Sequence, residues 1–487
     1  MQEILIGGQE GVKVFMDAAM GNRHGMISGA TGTGKTITLQ ILAEGFSKIG
    51  VPVFLADIKG DLSGITAAGK PHEKITQRIK QIGIKDYQQR GNAAVFWDIF
   101  AKTGHPVRAT ISDMGPLLLS NLLELNDTQT GVLYSCFKIA DDNGLLLLDL
   151  KDLRILLTWV GNQDNEFQTE YGNIAAASIG AIQRQLLVLE EQGAEHFFGE
   201  PAIQLEDFCK TDFSGNGVIS ILDATDLVSK SPRLYATFLL WLLSELFENM
   251  PEVGDAERPK LVLFFDEAHL LFDQAPKALL DKIEQIVRLI RSKGVGVYFI
   301  SQSPLDVPED ILGQLGLKIQ HALRAYTPKD QQVVKSVAGT FRANPSIDTE
   351  SAIQELKTGE ALVSVLNKDG SPAIVERILI RPPESQIGPI TQEQRDELLK
   401  RSPFHGRYDE EIDRESAYEM LKKKAEQQQQ EQVEEQEAKE EKKQASGGSR
   451  QRQSVTEALL KNAARSIGTT VGRQIVRGIM GSLLGRR

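Results

Sequence analysis

Cysteine is nearly absent: Cys136 and Cys209 stand alone in a chain of 487 residues. They form no CxxC and have no histidine pair at ligand spacing, which excludes a disulfide framework and the usual zinc sites and fits a reducing compartment. Long apolar runs are also missing. The most apolar stretch, Phe238 to Leu243, soon meets Glu245 and falls well short of the ~20 residues that a membrane span needs. Met1 to Gly8 shows no basic region leading into an apolar core, so no secretory signal is read and a cytoplasmic location is expected. Positive charge is not in excess, since 55 Lys and Arg against 66 Asp and Glu leave a net charge of −11. A nucleic-acid-coating basic shell is therefore excluded, and any such contact must be local.

What remains is the composition of a folded protein, 41% hydrophobic and 25% charged, long enough for one large core and an accessory region. Short apolar, β-branched runs alternate with helical patterns: His24 to Ser28, Val51 to Ala56, Ala94 to Trp97, Val218 to Leu222, Leu261 to Phe265, Val295 to Ile300 and Ile319 to Leu323. Continuous hydrophobicity in such runs predicts strands buried on both faces, hence a mainly parallel central sheet in an α/β fold. Crossover-sized helices are expected at Lys35 to Ile49 and at Lys277 to Arg291, where Leu279, Leu280, Ile283, Ile286, Val287 and Ile290 recur at helical spacing.

Residues 1–110 and 201–383 read as two halves of one sheet domain, interrupted by a mainly helical insertion over 111–200 with a polar break around Asn162 to Glu166. A hairpin, Ala361 to Leu366 and Ala373 to Ile380, is expected to close the folded part before Pro382 and Pro383. Residues 384–453, rich in Lys, Glu and Gln, read as a charged linker or helix, helical or disordered, ending at Ser446 to Ser449. The last stretch, 454–487, sets Lys461, Arg465, Arg473, Arg477, Arg486 and Arg487 against Glu457. There Ile467, Val471, Ile475, Ile479 and Leu483 recur every four residues, so a basic amphipathic helix could lie on anionic lipid, touch DNA or dock on a neighbouring subunit.

Gly29, Ala30, Thr31, Gly32, Thr33, Gly34, Lys35 and Thr36 spell GxxxxGKT between a predicted strand and a predicted helix. That is the context of a P-loop. Glycines let backbone N–H groups face phosphate oxygens, and the helix N-terminus adds its positive end. Lys35 reaches the β and γ phosphates of ATP, and the Thr36 hydroxyl coordinates Mg2+. The run Leu261 to Phe265 leads directly into Asp266 and Glu267. A buried strand ending in acids delivers them to the C-terminal sheet edge, where ligands bind in open α/β folds. Asp266 would hold Mg2+ through water and Glu267 would polarise an attacking water, which favours hydrolysis; the alternative is that both acids cap the next helix.

Asp266, Glu267, Ala268 and His269 spell DEAH, yet no second set of helicase motifs follows, and His269 reads as a helix-start residue. Gln302, between Ser301 and Ser303 at the tip of the next strand, is a candidate γ-phosphate sensor or an ordinary polar loop residue. Arg291, Ser292 and Lys293 sit at a helix end, where they could simply complement the dipole. Asp57, Lys59 and Asp61 follow the second strand and are candidates for the pocket rim.

The loop Gly29 to Thr36, the DIKGD segment from Asp57, LVLFFDEAH, IRSKGVGV and ISQSP agree in order and spacing with a known group. Over most of Gly25 to Asp330 the chain resembles the HerA and FtsK superfamily of ring-forming P-loop pumping ATPases, and within it the stand-alone bacterial HerA-like proteins. The resemblance implies a RecA-like P-loop NTPase sheet, a homo-hexamer, Glu267 as catalytic base, Gln302 as sensor, and Arg291 as a finger supplied to the neighbouring subunit. Archaeal HerA proteins carry a β-barrel ahead of the motor that engages the nuclease NurA. Here the loop begins at Gly29 and leaves that barrel no room, so a NurA-type partner is not expected. The leading expectation is an ATP-driven translocase or helicase-like motor on DNA; the alternative is a P-loop ATPase that remodels or pumps protein or switches an assembly state.

Overall fold

In a computed structural model of the chain, the structure describes residues 2–9, 11–162, 171–254, 256–273 and 277–446. The expected basic segment 454–487, the end of the linker before it, and the polar break beyond Asn162 lie outside the described residues.

Among the described residues one sheet of 12 strands runs in the order β2-β1-β12-β11-β10-β3-β9-β8-β4-β7-β5-β6. Its central strands are β3 (Gly25–Ser28), β4 (Val53–Asp57), β5 (Ala94–Asp98), β7 (Ile219–Asp223), β8 (Leu261–Phe265), β9 (Val295–Ser301) and β10 (Leu317–Gln320), with β6 (His105–Pro106) at one edge. From β10 to β6 every neighbouring pair is parallel. The continuous apolar runs are explained by what covers them. Leu261, Leu263 and Phe265 face one core, and Val262 and Phe264 face another across the sheet. Val297 and Phe299 alternate with Tyr298 and Ile300 in the same way. A strand clothed on both faces has no position left for a polar residue.

The other half of the sheet is antiparallel. The expected hairpin forms from β11 (Glu360–Ser364) and β12 (Glu376–Ile380). A second hairpin, β1 (Glu3–Gln9) and β2 (Val12–Asp17), was not anticipated from the sequence; it pairs with β12 and extends the sheet. Its glycines resemble a turn, but Gly7 sits at a register shift where an added Cβ would stand 2.1 Å from the Leu379 carbonyl oxygen. Close strand approach demands glycine there.

Between β6 and β7 the chain makes the helices Ile111–Leu122, Asp127–Asp142, Leu150–Asn162 and Ala176–Glu191. Their inner faces join the core cluster that also holds Pro232–Asn249, whose Phe238 to Leu243 stretch is buried. Among the described residues no helix is long and apolar enough to cross a membrane.

The chain does not leave the folded body at Pro382. It divides into a unit Met1–Leu421 and a second unit beginning at Lys422. Residues 384–421 therefore differ from the expected linker: Phe404, Tyr408, Ala417 and Leu421 are buried in the main core. Polar anchors hold the same stretch. Arg395 pairs with Asp223 at 2.8 Å, Arg414 with Glu200 at 2.6 Å, and Tyr408 donates to Asp207. Helix Ala417–Ser446 starts within this packed strap, where the Tyr418 N–H donates to the buried Asp152 at 2.8 Å.

Candidate active site

The C-terminal ends of β3, β9, β8 and β4 lie side by side. They bring the glycine loop, Gln302, Asp266 with Glu267, and the Asp57 to Asp61 turn to a single sheet edge.

The loop's backbone dictates its residues. Gly29, Gly32 and Gly34 take φ of +146°, +76° and +121°. At Gly29 a Cβ would stand 2.5 Å from the Cβ of His321, so only glycine lets the loop lie against the end of β10. Helix Lys35–Lys48 starts at Gly34, which offers no side-chain cap. Its first-turn N–H groups and dipole are thus left to the loop, the arrangement that suits an anion. Thr33 is tied to the Ala30 carbonyl at 2.7 Å, whereas Thr31 is exposed and Thr36 half-buried. Lys35 is buried, and its Nζ donates to the carbonyls of Gly29 at 2.5 Å and Ala30 at 3.3 Å. Burial and the charge of Lys59 lower its pKa, while Glu267, Asp266 and Asp306 oppose them.

β8 releases Asp266 and Glu267 at a sharp turn. Glu267 takes φ of +47°, a left-handed conformation that costs a non-glycine residue about 1–3 kcal/mol. The turn is clamped by Ala268 N–H donating to the Ile300 carbonyl at 2.8 Å, and Tyr235 Oη donates to the Asp266 carbonyl at 3.2 Å. Lys59 Nζ lies 3.1 Å from Glu267 Oε1 and 3.7 Å from Asp266 Oδ2. His269 Nδ1 stands 3.5 Å from Glu267 Oε2, a buried oxygen that has no hydrogen-bond partner among the described residues. Burial pushes the Asp266 carboxyl up; Lys59 counters and the neighbouring Glu267 adds to the rise. Burial works against the Lys59 charge, but Asp266, Glu267 and Asp61 outweigh it and hold the ammonium above its ordinary range.

Asp57 explains how Lys59 reaches the acids. Its carboxyl accepts from the N–H groups of Gly60 at 2.8 Å and Leu62 at 3.0 Å, folding the DIKGD segment into a turn. Burial pushes Asp57 up to about 6, against those two hydrogen bonds. Asp61 is raised by burial, with Lys59 opposing. Gln302 is exposed at the tip of β9, which is braced where Ser301 Oγ and the Ser303 N–H both donate to Asp306.

Arg291 is not brought to this edge. It lies in the 3-10 turn Ile290–Lys293 that precedes β9, and the seven residues of that strand separate it from Gln302 by roughly 20 Å. The sequence reading also passed over His321, at the tip of β10. Its Nδ1 lies 3.0 Å from the Glu360 carbonyl and its Nε2 2.8 Å from Thr38 Oγ1, so Nδ1 carries the proton and Nε2 accepts from the hydroxyl. Burial, with Lys35 nearby, holds His321 down at about 4, against its bond to Glu360. Its ring therefore stays neutral behind the loop. The available signal was a polar Gln-His pair directly after an apolar strand that ends at the same edge.

A glycine loop between strand and helix, facing a strand that ends in two carboxylates within a mostly parallel sheet, defines a P-loop NTPase fold. The chain belongs to the helicase HerA-like C-terminal family, whose model matches residues 2–487. It is 22% identical over 365 residues to the DNA double-strand break repair helicase HerA of Sulfolobus acidocaldarius, covering 74% of this chain and 65% of that protein. The chain thus spans just under two thirds of that relative's length. The same-named protein of Sulfurisphaera tokodaii is 22% identical over 387 residues, 76% of this chain and 68% of that one. Among solved structures, the plasmid coupling protein TrwB in complex with a non-hydrolysable GTP analogue is similar in fold, with a TM-score of 0.50 at 14% identity over 76% of this chain and 88% of that one.

Proposed function

We propose that the chain is a cytoplasmic, ATP-hydrolysing ring motor that acts on DNA. The observation that carries this reading is the convergence of Lys35, Asp266 and Glu267 on one sheet edge, where the Glu267 charge acts on both Lys35 and Asp266. Membership of the helicase HerA-like family, and relatives named as DNA repair helicases, support DNA as the track.

Three features fit a magnesium nucleotide: the uncapped first turn at Gly34, a loop whose conformation only glycines accept, and the unpartnered Glu267 Oε2. Gly29, Ala30, Thr31, Gly32, Thr33 and Gly34 would cradle the phosphates, with Lys35 released from its two carbonyls to pair with them. Thr36 and Asp266 would hold Mg2+, which when bound neutralises charge developing on the phosphoryl oxygens. Glu267 orients and deprotonates water, and Gln302 contacts the γ-phosphate side. Arg291, a strand length away in its own chain, would act on the nucleotide of a neighbour in a homo-hexamer.

The test is ATP hydrolysis by the purified chain with and without duplex DNA across a salt series. Stimulation that falls steeply with salt is expected, because each neutralised phosphate releases counterions. Turnover indifferent to DNA and responsive to a folded or assembled protein would favour the protein-remodelling reading.

A further inference from the structure

Asp266 and Glu267 are consecutive carboxylates at one strand end, and the charge of Asp61 reaches the same surroundings. Little water is there to screen them: Asp266 is 8% exposed and the Glu267 side chain 14%. Acids placed this way repel one another, and repel any phosphate brought near, unless a cation lies among them.

Two ammonium groups are within range. Lys35 is committed elsewhere, since its Nζ donates to the carbonyls of Gly29 and Ala30. Lys59 instead bridges the acids, its Nζ 3.1 Å from Glu267 Oε1 and 3.7 Å from Asp266 Oδ2. Its backbone is fixed, because the Asp57 carboxyl before it accepts from the Gly60 and Leu62 N–H groups after it. Its side chain is not, with 41% of its surface in water. Elsewhere the chain builds a permanent ion pair differently. Arg381 meets Glu44 at 3.3 Å in the interior, where the side chains are 10% and 3% exposed and the N–H groups of Glu384 and Ser385 complete the carboxylate. A rigid guanidinium suits such a fixed pair, whereas an ammonium on a flexible stem at the rim suits a cation that comes and goes.

Asp266 is also the carboxylate assigned above to Mg2+. Two cations drawn to one carboxyl repel each other at these distances. We infer that Lys59 is a resident counter-cation that competes with Mg2+: in metal-free protein it neutralises Asp266 and Glu267 and lets phosphates approach, and it withdraws into solvent once Asp266 holds the metal. The inference rests on reading the site as one for a magnesium nucleotide. It adds that the metal dependence of nucleotide binding is set in part by a side chain outside both nucleotide motifs.

The experiment titrates a fluorescent, non-hydrolysable ATP analogue into the full chain, once with Mg2+ and once with EDTA. The ratio of the two dissociation constants measures the coupling between metal and nucleotide. In Lys59→Met the metal-free affinity is expected to fall while the affinity with Mg2+ holds or improves, so the ratio rises about fivefold or more. Lys59→Arg keeps the charge and should stay near the wild-type ratio; Lys59→Gln gives the same reading as methionine if the methionine variant does not fold. A merely structural Lys59 would weaken both affinities alike. An unmoved ratio therefore overturns the inference, as does an arginine variant that follows the methionine one. Wild type that binds the analogue in neither condition refutes the nucleotide site itself, which tells the failure of that reading apart from the failure of this one.

Discussion

At Asp266 two forces act on one carboxyl: burial favours its neutral form, and the Lys59 ammonium favours its ionised form. A motor of the proposed kind needs the ionised form. Replacing Lys59 by Met removes the opposing charge, so Asp266 rises further and takes up its proton at a higher pH. The acid limb of the turnover profile should therefore move toward neutrality, while the alkaline limb stays. An unshifted acid limb would show that Lys59 does not tune this carboxylate. His321 gives a second prediction at this scale. It is held at about 4 when folded, against 6.5 for the unperturbed ring. Below pH 6.5 the unfolded chain binds a proton that the folded chain refuses. His321 thus stabilises the fold above that pH, and the contribution is lost as pH falls toward 4, on the order of 3 kcal/mol over the window. Urea midpoints should show wild type and His321→Gln converging between pH 7 and pH 4.5; a constant gap would contradict the neutral buried ring. Lys59 was legible only as a candidate for the pocket rim, and His321 not at all. Lys35 and Glu267 sit inside local motifs with strong backbone demands, whereas Lys59 and His321 matter only because β4 and β10 end beside partners hundreds of residues away.

Among the elements, the strap from residue 384 to Leu421 is where sequence and structure part most clearly. Its apolar anchors, Phe404, Tyr408, Ala417 and Leu421, are too few and too irregular to make a periodic signal, and the intervening charges resemble a linker. Fixed partners hold the strap instead: Arg395 pairs with Asp223 and Arg414 with Glu200, while the hydroxyls of Tyr408 and Ser416 donate to Asp207 and Asp152. The boundary of the autonomous fold therefore belongs after Leu421. A chain of residues 1–421 should unfold at the temperature of the whole protein. Ending at residue 401 leaves Asp152 and Asp207 buried with lost partners, at about 1–3 kcal/mol each, and should lower the midpoint by several degrees or abolish soluble expression. Equal midpoints for the two truncations would mean that the strap adds nothing. The edge hairpin β1–β2 escaped for a different reason. Central strands announce themselves by continuous apolar runs, while an edge strand with one covered face and glycines at a register shift resembles a loop.

On the scale of the whole molecule, the sheet separates two charged edges by the length of a strand, acids and P-loop at one and arginines at the other. One chain cannot bring Arg291 to its own Glu267, and a head-to-tail ring would solve this by facing one edge of each copy toward its neighbour. Pure Glu267→Gln and pure Arg291→Ala should each be nearly inactive. Mixed in equal amounts, about a quarter of the interfaces would pair two intact residues, so partial turnover should return. With mixed assemblies verified by mass, its complete absence would count against action between copies. The α/β class and the order of the nucleotide elements were legible from apolar runs and spacing; the opposite-edge position of Arg291 followed only once the direction of β9 was known.

The same sheet order has a consequence for how the protein is made. The strand that leads into the P-loop, β3, is paired only with β9 and β10, Ile27 lying opposite Ile300 and Ile319. During synthesis at about 5–20 residues per second, β3 leaves the ribosome tens of seconds before either partner exists. A nascent chain therefore has no nucleotide pocket, however complete its GxxxxGKT, until more than three fifths of it has been translated. For that interval the apolar faces of β3, β4 and helix Lys35–Lys48 lack their later strand partners, so the growing polypeptide is a client for chaperones, and ATP can help the fold close only after most of the chain has been made.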